Sequence, residues 1–291
     1  MDIFLTTVKL SISSSETVSF DFNISDLFRK QIIDFNTHFN CFYQTVNKIE
    51  LSHKIIAFEG HSFENAVIPY EWKIYNNDDD LFIHIVFFEN LTISETLATI
   101  NFVKKTIIVD IIPRSSTSIV IDPLFHPFGS LLMIYLSHFV SGFLIHAAGV
   151  KDNEAGYLFS GISGIGKSTM SKLWHEQGAI VINDDRLWIQ KIDNEWKMFN
   201  TPMTYYIQEP KMANLSKIFL LSQSPENYIT QISNTQGALQ VITNCIQHLF
   251  DREMTTSHLD LIFEMANQTP IYKLGFKPTK EIVGMIKSTY F

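Results

Sequence analysis

Gly161-Ile162-Ser163-Gly164-Ile165-Gly166-Lys167-Ser168-Thr169 is the stretch on which the reading of this chain turns. A glycine, four unconstrained positions and then Gly-Lys-Ser is the spacing of a phosphate-binding loop. Gly161, Gly164 and Gly166 allow the positive φ angles that turn successive backbone N–H groups, those of Ser163 and Ile165 among them, toward one anion. Lys167 adds a mobile positive charge, Ser168 a hydroxyl able to ligate Mg²⁺, and Thr169 completes the run. Chance gives such a match in about one chain of this length in a hundred. The flanks fit as well: Ala155–Ser160 is a short apolar run that predicts a buried strand. Ser168–Gln177 predicts a helix with Met170, Leu173 and Trp174 on one face and Gly178 as its C′ residue. Strand, glycine loop and helix together imply a bound nucleotide.

Working outward, Ala179–Ile182 predicts the next strand, and Asp184-Asp185 follow it directly. A strand–helix–strand unit brings the ends of its two strands together, so a carboxylate there lies near the γ-phosphate. One acid can hold Mg²⁺ and the other can accept a proton from an attacking hydroxyl, or simply turn the chain. Upstream, His146 sits in a predicted strand, Phe143–Val150, expected to pair beside the loop strand. Its imidazole either orients an Asp or is a satisfied core residue. Asn200-Thr201-Pro202 is a loop signal at the rim, for substrate contact or for a turn.

The bulk composition excludes several classes. With 46% hydrophobic and 18% charged residues, the 291-residue chain can bury a large core and is not disordered. A net charge of −8 with no Lys/Arg run argues against nucleic acid as a partner. Cys41 and Cys245, far apart in apolar, helical-looking surroundings, read as two buried free thiols. Met1-Asp2-Ile3-Phe4-Leu5 lacks a signal peptide's positive region, so a cytoplasmic location is expected. Leu131–Val150 is uncharged and long enough to span a bilayer. Ser137, His138, Ser141, Gly142 and His146 interrupt it, however, so the expectation is a buried helix to about Val140, a break at Gly142 and then the His146 strand, with no membrane partner.

Two domains are expected. Residues 1–122 read as an α+β module: strands in Leu81–Phe88 and Thr106–Ile112, a helix in Ile24–Phe42 capped at Ser25, and Asp78-Asp79-Asp80 as a solvated hairpin turn. Residues 123–291 read as α/β, a mixed sheet with flanking helices. Strands are expected in Arg186–Ile192 and Glu195–Phe199, and helices over Asn234–Phe250, with Leu239, Ile242, Ile246 and Leu249 inward, and over Ser257–Ala266.

The motifs of the second domain resemble the kinase domain of HPr kinase/phosphorylase and its looser relatives, which share a core with ATP-dependent phosphoenolpyruvate carboxykinase. The resemblance is carried by Leu144-Ile-His-Ala-Ala-Gly149, Tyr157-Leu-Phe-Ser-Gly-Ile-Ser-Gly-Ile-Gly-Lys-Ser168, Gly178, Asn183-Asp-Asp-Arg186, Thr201-Pro202 and Pro270-Ile-Tyr-Lys-Leu-Gly-Phe276, and it spans roughly 123–291. It implies ATP, or GTP, as donor with Mg²⁺; Lys167 on the β/γ-phosphates; Ser168 and Asp185 at the metal; Asp184 as the base that activates a serine hydroxyl; and His146 supporting Asp184. Asn200 stands where relatives often carry Gly, and no segment that would engage HPr is found. The expected acceptor is therefore a Ser or Thr of another peptide or protein, such as a peptide natural-product precursor, docked with help from the N-terminal module. A small-metabolite hydroxyl and a non-catalytic nucleotide-binding regulatory module are the alternatives. Relatives of this kind form homo-oligomers.

Overall fold

A computed structural model describes residues 9–12, 18–20, 40–44, 55–62, 69–77, 79–88, 93–104, 106–114, 119–121, 127–140, 142–201, 211–249 and 251–288. The described residues up to Phe139 pack as one unit, and those from Val140 onward pack as a second.

The first unit is built on a seven-stranded sheet. Its strands are β1 (Lys9–Ile12), β3 (Asn40–Gln44), β4 (Ile55–His61), β5 (Tyr70–Asn77), β6 (Asp80–Phe87), β7 (Ile93–Asn101) and β8 (Thr106–Pro113), in the order β1-β3-β8-β7-β6-β5-β4. β4 to β8 form an antiparallel meander, while β1 and β3 join in parallel. A separate parallel pair joins β2 (Val18–Phe20) to β9 (Ile119–Ile121). The period-2 pattern explains the meander: Ile83, Ile85, Ile100, Ile107, Val109 and Ile111 are fully buried, while His84 bonds Glu95 at 2.8 Å on the other face. The acidic turn is a hairpin in which Asn77 pairs with Asp80, and the Asp80 carboxylate accepts from the Asn101 amide at 2.6 Å. The expected helix over Ile24–Phe42 lies mostly outside the described residues, but Asn40–Phe42 are strand. Helix α1 (Phe128–Leu136) is apolar all round and buried at eight of its nine positions, as such a helix must be. It packs with this first unit, so the two units divide after Phe139 rather than after Asp122.

The uncharged run is thus a nine-residue helix, a 3₁₀ turn at Ser137–Phe139 and a strand. No helix among the described residues is long and apolar enough to cross a membrane.

In the second unit β10 (Gly142–Asp152) and β11 (Ala155–Ser160) form a hairpin, and α2 (Lys167–His175) follows the glycine loop. After it come β12 (Ile180–Asn183), β13 (Arg186–Ile192), β14 (Glu195–Asn200) and the 12-residue β15 (Met212–Gln223). The remainder is β16 (Tyr228–Gln231), α3 (Asn234–Ile242), β17 (Cys245–Ile246), α4 (Arg252–Gln268), β18 (Ile271–Phe276) and α5 (Glu281–Ser288). Because β11 pairs with both β10 and β15, the strands β10, β13, β14, β15 and β11 close into a ring.

Alternation in the parallel strands β11, β15 and β18 divides the core. Leu158, Ile218, Leu220 and Ile271 face one cluster with Ala238 and Val241 of α3 and Ile262, Met265 and Ala266 of α4. Phe159, Phe219, Tyr272 and Phe276 face the other, with Met170, Leu173 and Trp174 of α2 and Ile282, Val283 and Ile286 of α5. Fully burying a side chain of this size is worth about 1.5–3 kcal/mol, so both helix layers hold the sheet firmly. The sequence-predicted helix over Asn234–Phe250 is shorter than expected. It ends at Ile242, and Cys245–Ile246 pair with Ile145 and Leu144 as β17. Its inward face also differs: Leu239 is 54% exposed, and Gly237, Ala238 and Val241 are the buried positions. Cys245 is a free thiol in strand rather than helix, its pKa pushed up by burial; Cys41 is in β3.

Candidate functional site

Strand direction collects the site at one sheet edge. β11 runs parallel to β15, and β15 to β18, while β12 and β11 are each antiparallel to β10. The C-terminal ends of β12, β11, β15 and β18 therefore all point the same way, the edge at which open α/β sheets bind ligands. The loop Gly161–Gly166 leaves β11 there.

The loop has the conformation its glycines promised. Gly164 has φ 77° and Gly166 φ 117°, values that side chains with a Cβ rarely adopt. A Cβ on Gly166 would stand 2.6 Å from Phe276 Cζ, so this glycine is required twice over. Gly166 is the N-cap of α2 and gives it no side-chain cap. The first N–H groups of the helix, with the positive end of its dipole, are thus left for an anion. Lys167 is buried, and its ammonium donates to the carbonyls of Gly161 at 2.9 Å and Ile162 at 3.1 Å. Burial lowers its pKa, and the negative charge of Asp185 works against that shift. Ser168 and Thr169 are exposed on the first turn.

β10 supplies the second element. Ala147 pairs with Ser160, the last residue of β11, which places His146 one step beyond, beside the start of the loop. His146 Nε2 lies 3.4 Å from Asp185 Oδ1, and Arg186 Nε lies 3.3 Å from Asp185 Oδ2. The His146 pKa is lowered by burial first and by the Lys167 charge second; Asp185 opposes this and Arg186 adds to it. The imidazole thus rests against the Asp185 carboxylate, with burial and the Lys167 charge favouring its neutral form. The buried Asn183 side chain bends the chain here, its Oδ1 accepting from the backbone N–H of Asp185 at 2.9 Å. The expected partner of His146 was Asp184, but the ring lies on Asp185. Asp184 is half-buried on the same turn.

At the rim, two residues tie neighbouring segments together. Asn200 is buried and joins Lys211 through backbone and side chain, and the Thr201 hydroxyl donates to the Arg186 carbonyl at 3.1 Å. Pro202 is outside the described residues. Sequence reasoning gave no role to Arg186, although its place after two acids marked it as a counter-charge. It also passed over Gln223-Ser224-Pro225 and Pro278, which border a cavity beside the loop; a Ser-Pro pair after an apolar run was the available signal.

Among the described residues no three His, Cys, Asp or Glu side chains come together to hold a metal. The two residues expected at a metal, Ser168 and Asp185, carry hard oxygens. They suit Mg²⁺, which takes one or two protein ligands and completes its shell with phosphate and water.

The class that fold and site define is a mixed α/β unit with a glycine loop, buried lysine and paired acids at the carboxyl edge of its sheet. No protein-family model matches the chain, and no curated protein matches it either. Among solved structures, the Hpr(Ser) kinase/phosphatase from Coxiella burnetii is similar over 50% of this chain and 86% of that one, at 12% identity and a TM-score of 0.31.

Proposed function

We propose that this protein is an ATP-dependent kinase that transfers the γ-phosphoryl group to a hydroxyl, that of a Ser or Thr in a peptide or protein. The observation that carries the reading is the convergence of Lys167, Asp185 and His146 at the mouth of the glycine loop, close enough that Lys167 and Asp185 both act on His146 and Asp185 acts on Lys167.

Triphosphate would lie along the loop N–H groups, with Lys167 exchanging its two carbonyl partners for phosphate oxygens. Ser168 and Asp185 would hold Mg²⁺, which neutralises charge on the transferring group. His146 and Arg186 orient Asp185 for that task, as the outer partners of metal-ligating carboxylates do. Asp184 takes the proton of the attacking hydroxyl.

The test is transfer of labelled phosphate from ATP to a Ser/Thr peptide library and, separately, to a metabolite pool. Asp184→Asn should cut transfer by about 10²-fold or more while leaving ATP affinity unchanged. Asp185→Asn should cut transfer and also weaken the magnesium dependence of ATP binding. Transfer by Asp184→Asn at the wild-type rate overturns the assignment of the base. No transfer by the wild type to any acceptor overturns the kinase reading.

A further inference from the structure

Along one edge of β10, Ser160 of β11 pairs with Ala147, and the neighbouring His146 donates its N–H to the Asn244 carbonyl at 2.9 Å. Cys245 and Ile246 of β17 continue that edge beside Ile145 and Leu144. Asp185 is on the opposite edge, its carbonyl accepting from Ala147 N–H at 3.0 Å. The turn that ends α3 therefore stands next to the point where the glycine loop leaves β11, across His146 from the acids. Asn244 is fixed there: its Nδ2 donates to the Gln240 carbonyl at 3.0 Å and to the Thr243 hydroxyl at 3.3 Å.

The surface leading to this junction carries no charge. In a chain that is 18% charged, residues 227–250 include no Asp, Glu, Lys or Arg. The uncharged run at residues 131–150 is mostly buried, which accounts for it. Burial does not account for this one. Thr235, Gln236, Leu239 and Thr243 are exposed, while Gly237, Ala238 and Val241 turn to the core. Thr235, Leu239 and Thr243 follow one another at i, i+4 and i+8, a single stripe that ends beside Asn244. One exposed leucine is ordinary. A leucine within an uncharged stripe that abuts the candidate site is not, because the centre of a recognition surface is where charge is depleted. Ile162, 73% exposed, adds a second apolar side chain just past the start of the loop, outside the lining of the cavity on the β15 side.

We propose that the outer face of α3 is the docking surface for the acceptor, a peptide that lays an apolar side chain on Leu239 and passes Asn244 to present its hydroxyl at Asp184. This rests on the proposed function above and adds the kind of acceptor the site takes. Continuity carries the assignment: the Asn244–His146 bond makes the end of the helix part of the strand edge that holds the imidazole. The geometry also sets a spacing. The helical rise from Leu239 to Asn244 is about 7.5 Å, and one strand spacing to β10 adds about 5 Å. An extended peptide, at about 3.3 Å per residue, covers that path with roughly four or five residues. A charged residue of the acceptor would lose water on Leu239 without a partner there, so the side chain received is apolar.

The experiment measures phosphoryl transfer from ATP to peptides with one central Ser, in which Leu, Ala, Lys or Glu occupies each flanking position in turn. Wild type should favour Leu at a position roughly four or five residues from the Ser, on one side of it. Leu239→Ala should raise the KM for that peptide by about five- to ten-fold with kcat and ATP affinity unchanged, and Leu239→Met should restore it. Leu239→Lys should move the preference at that position from Leu to Glu, a change that loss of folding or of catalysis cannot produce. Transfer by wild type with no preference for Leu at any position overturns the docking surface and leaves the kinase standing. So does an unchanged KM in Leu239→Ala. Transfer to a metabolite pool alone overturns the docking surface together with the peptide acceptor. No transfer by wild type to any acceptor overturns the kinase reading, and this surface with it.

Discussion

Placing a methyl group on Gly166 tests how tightly the glycine loop is keyed to the end of β18. Two costs arise at this position. With φ at 117°, an L-residue is held in a disfavoured conformation, at about 1–2 kcal/mol. The new Cβ would also stand 2.6 Å from Phe276 Cζ, where carbon atoms ordinarily rest about 3.5–4.0 Å apart. Roughly 1 Å must be taken up, and Phe276, only 4% exposed, belongs to the same buried cluster as Met170, Tyr272, Leu274 and Ile282. Such overpacking costs about 1–3 kcal/mol, so Gly166→Ala should destabilise the second unit by about 2–5 kcal/mol. Gly164→Ala is the internal control. Its φ of 77° carries the strain, but no atom lies within 4 Å of the added Cβ, so its cost should stay near 1 kcal/mol. Urea unfolding followed by tryptophan fluorescence reads the difference, since Trp174, Trp188 and Trp196 all lie in the second unit. The double variant Gly166→Ala/Phe276→Leu should lose less than the sum of its parts, because the shorter side chain makes room. If Gly166→Ala costs no more than Gly164→Ala, the keyed contact does not exist.

The other predictions concern charge. His146→Ala should lower phosphoryl transfer with ATP affinity unchanged, and His146→Gln, which keeps an N–H donor, should restore part of the rate. Because burial and Lys167 keep the imidazole neutral to a lower pH than usual, the acid limb of the wild-type rate profile should lie below pH 6.5. His258 is buried edge-on to the Phe143 ring, its Nε2 without a partner among the described residues, and burial lowers its pKa to about 4. Protonation is thus favoured in the unfolded chain: this side chain makes no pH-dependent contribution above pH 6.5, and stability falls as the pH drops from 6.5 toward 4. The full loss is about 3 kcal/mol, and His258→Phe should flatten that part of the stability–pH curve measured by urea unfolding.

The glycine loop was legible in the sequence because its residues are contiguous and each type has one physical use. Glycines at fixed spacing, a lysine and a hydroxyl can be read without knowing any neighbour. The pairing of His146 with Asp185 could not be read, since it depends on the register between β10 and β11 and on the turn held by Asn183. Helix α3 shows a second limit. Hydropathy chose Leu239 as inward, but the helix approaches β18 so closely that a Cβ on Gly237 would meet Ile271 Cδ1 at 2.7 Å. The contact face is therefore made of small residues that a hydrophobicity pattern undervalues. The helix stops early because the next residues have partners in β10: the Asn244 carbonyl accepts from His146 N–H at 2.9 Å, and Cys245–Ile246 pair beyond it. β15, the strand that joins the ring, was passed over because its middle is buried on both faces and lacks simple alternation.

The placement of β11 between β10 and β15 has a mechanical consequence. Its amides are shielded from both edges, while the loop that continues from Ser160 has almost no ladder of its own. Deuterium should therefore enter the chain with an abrupt change of rate at Gly161, slow before it and fast through the loop to Gly166. With its stem held on both sides, a closing movement on a ligand is confined to the loop itself and to the side chains and segments around it.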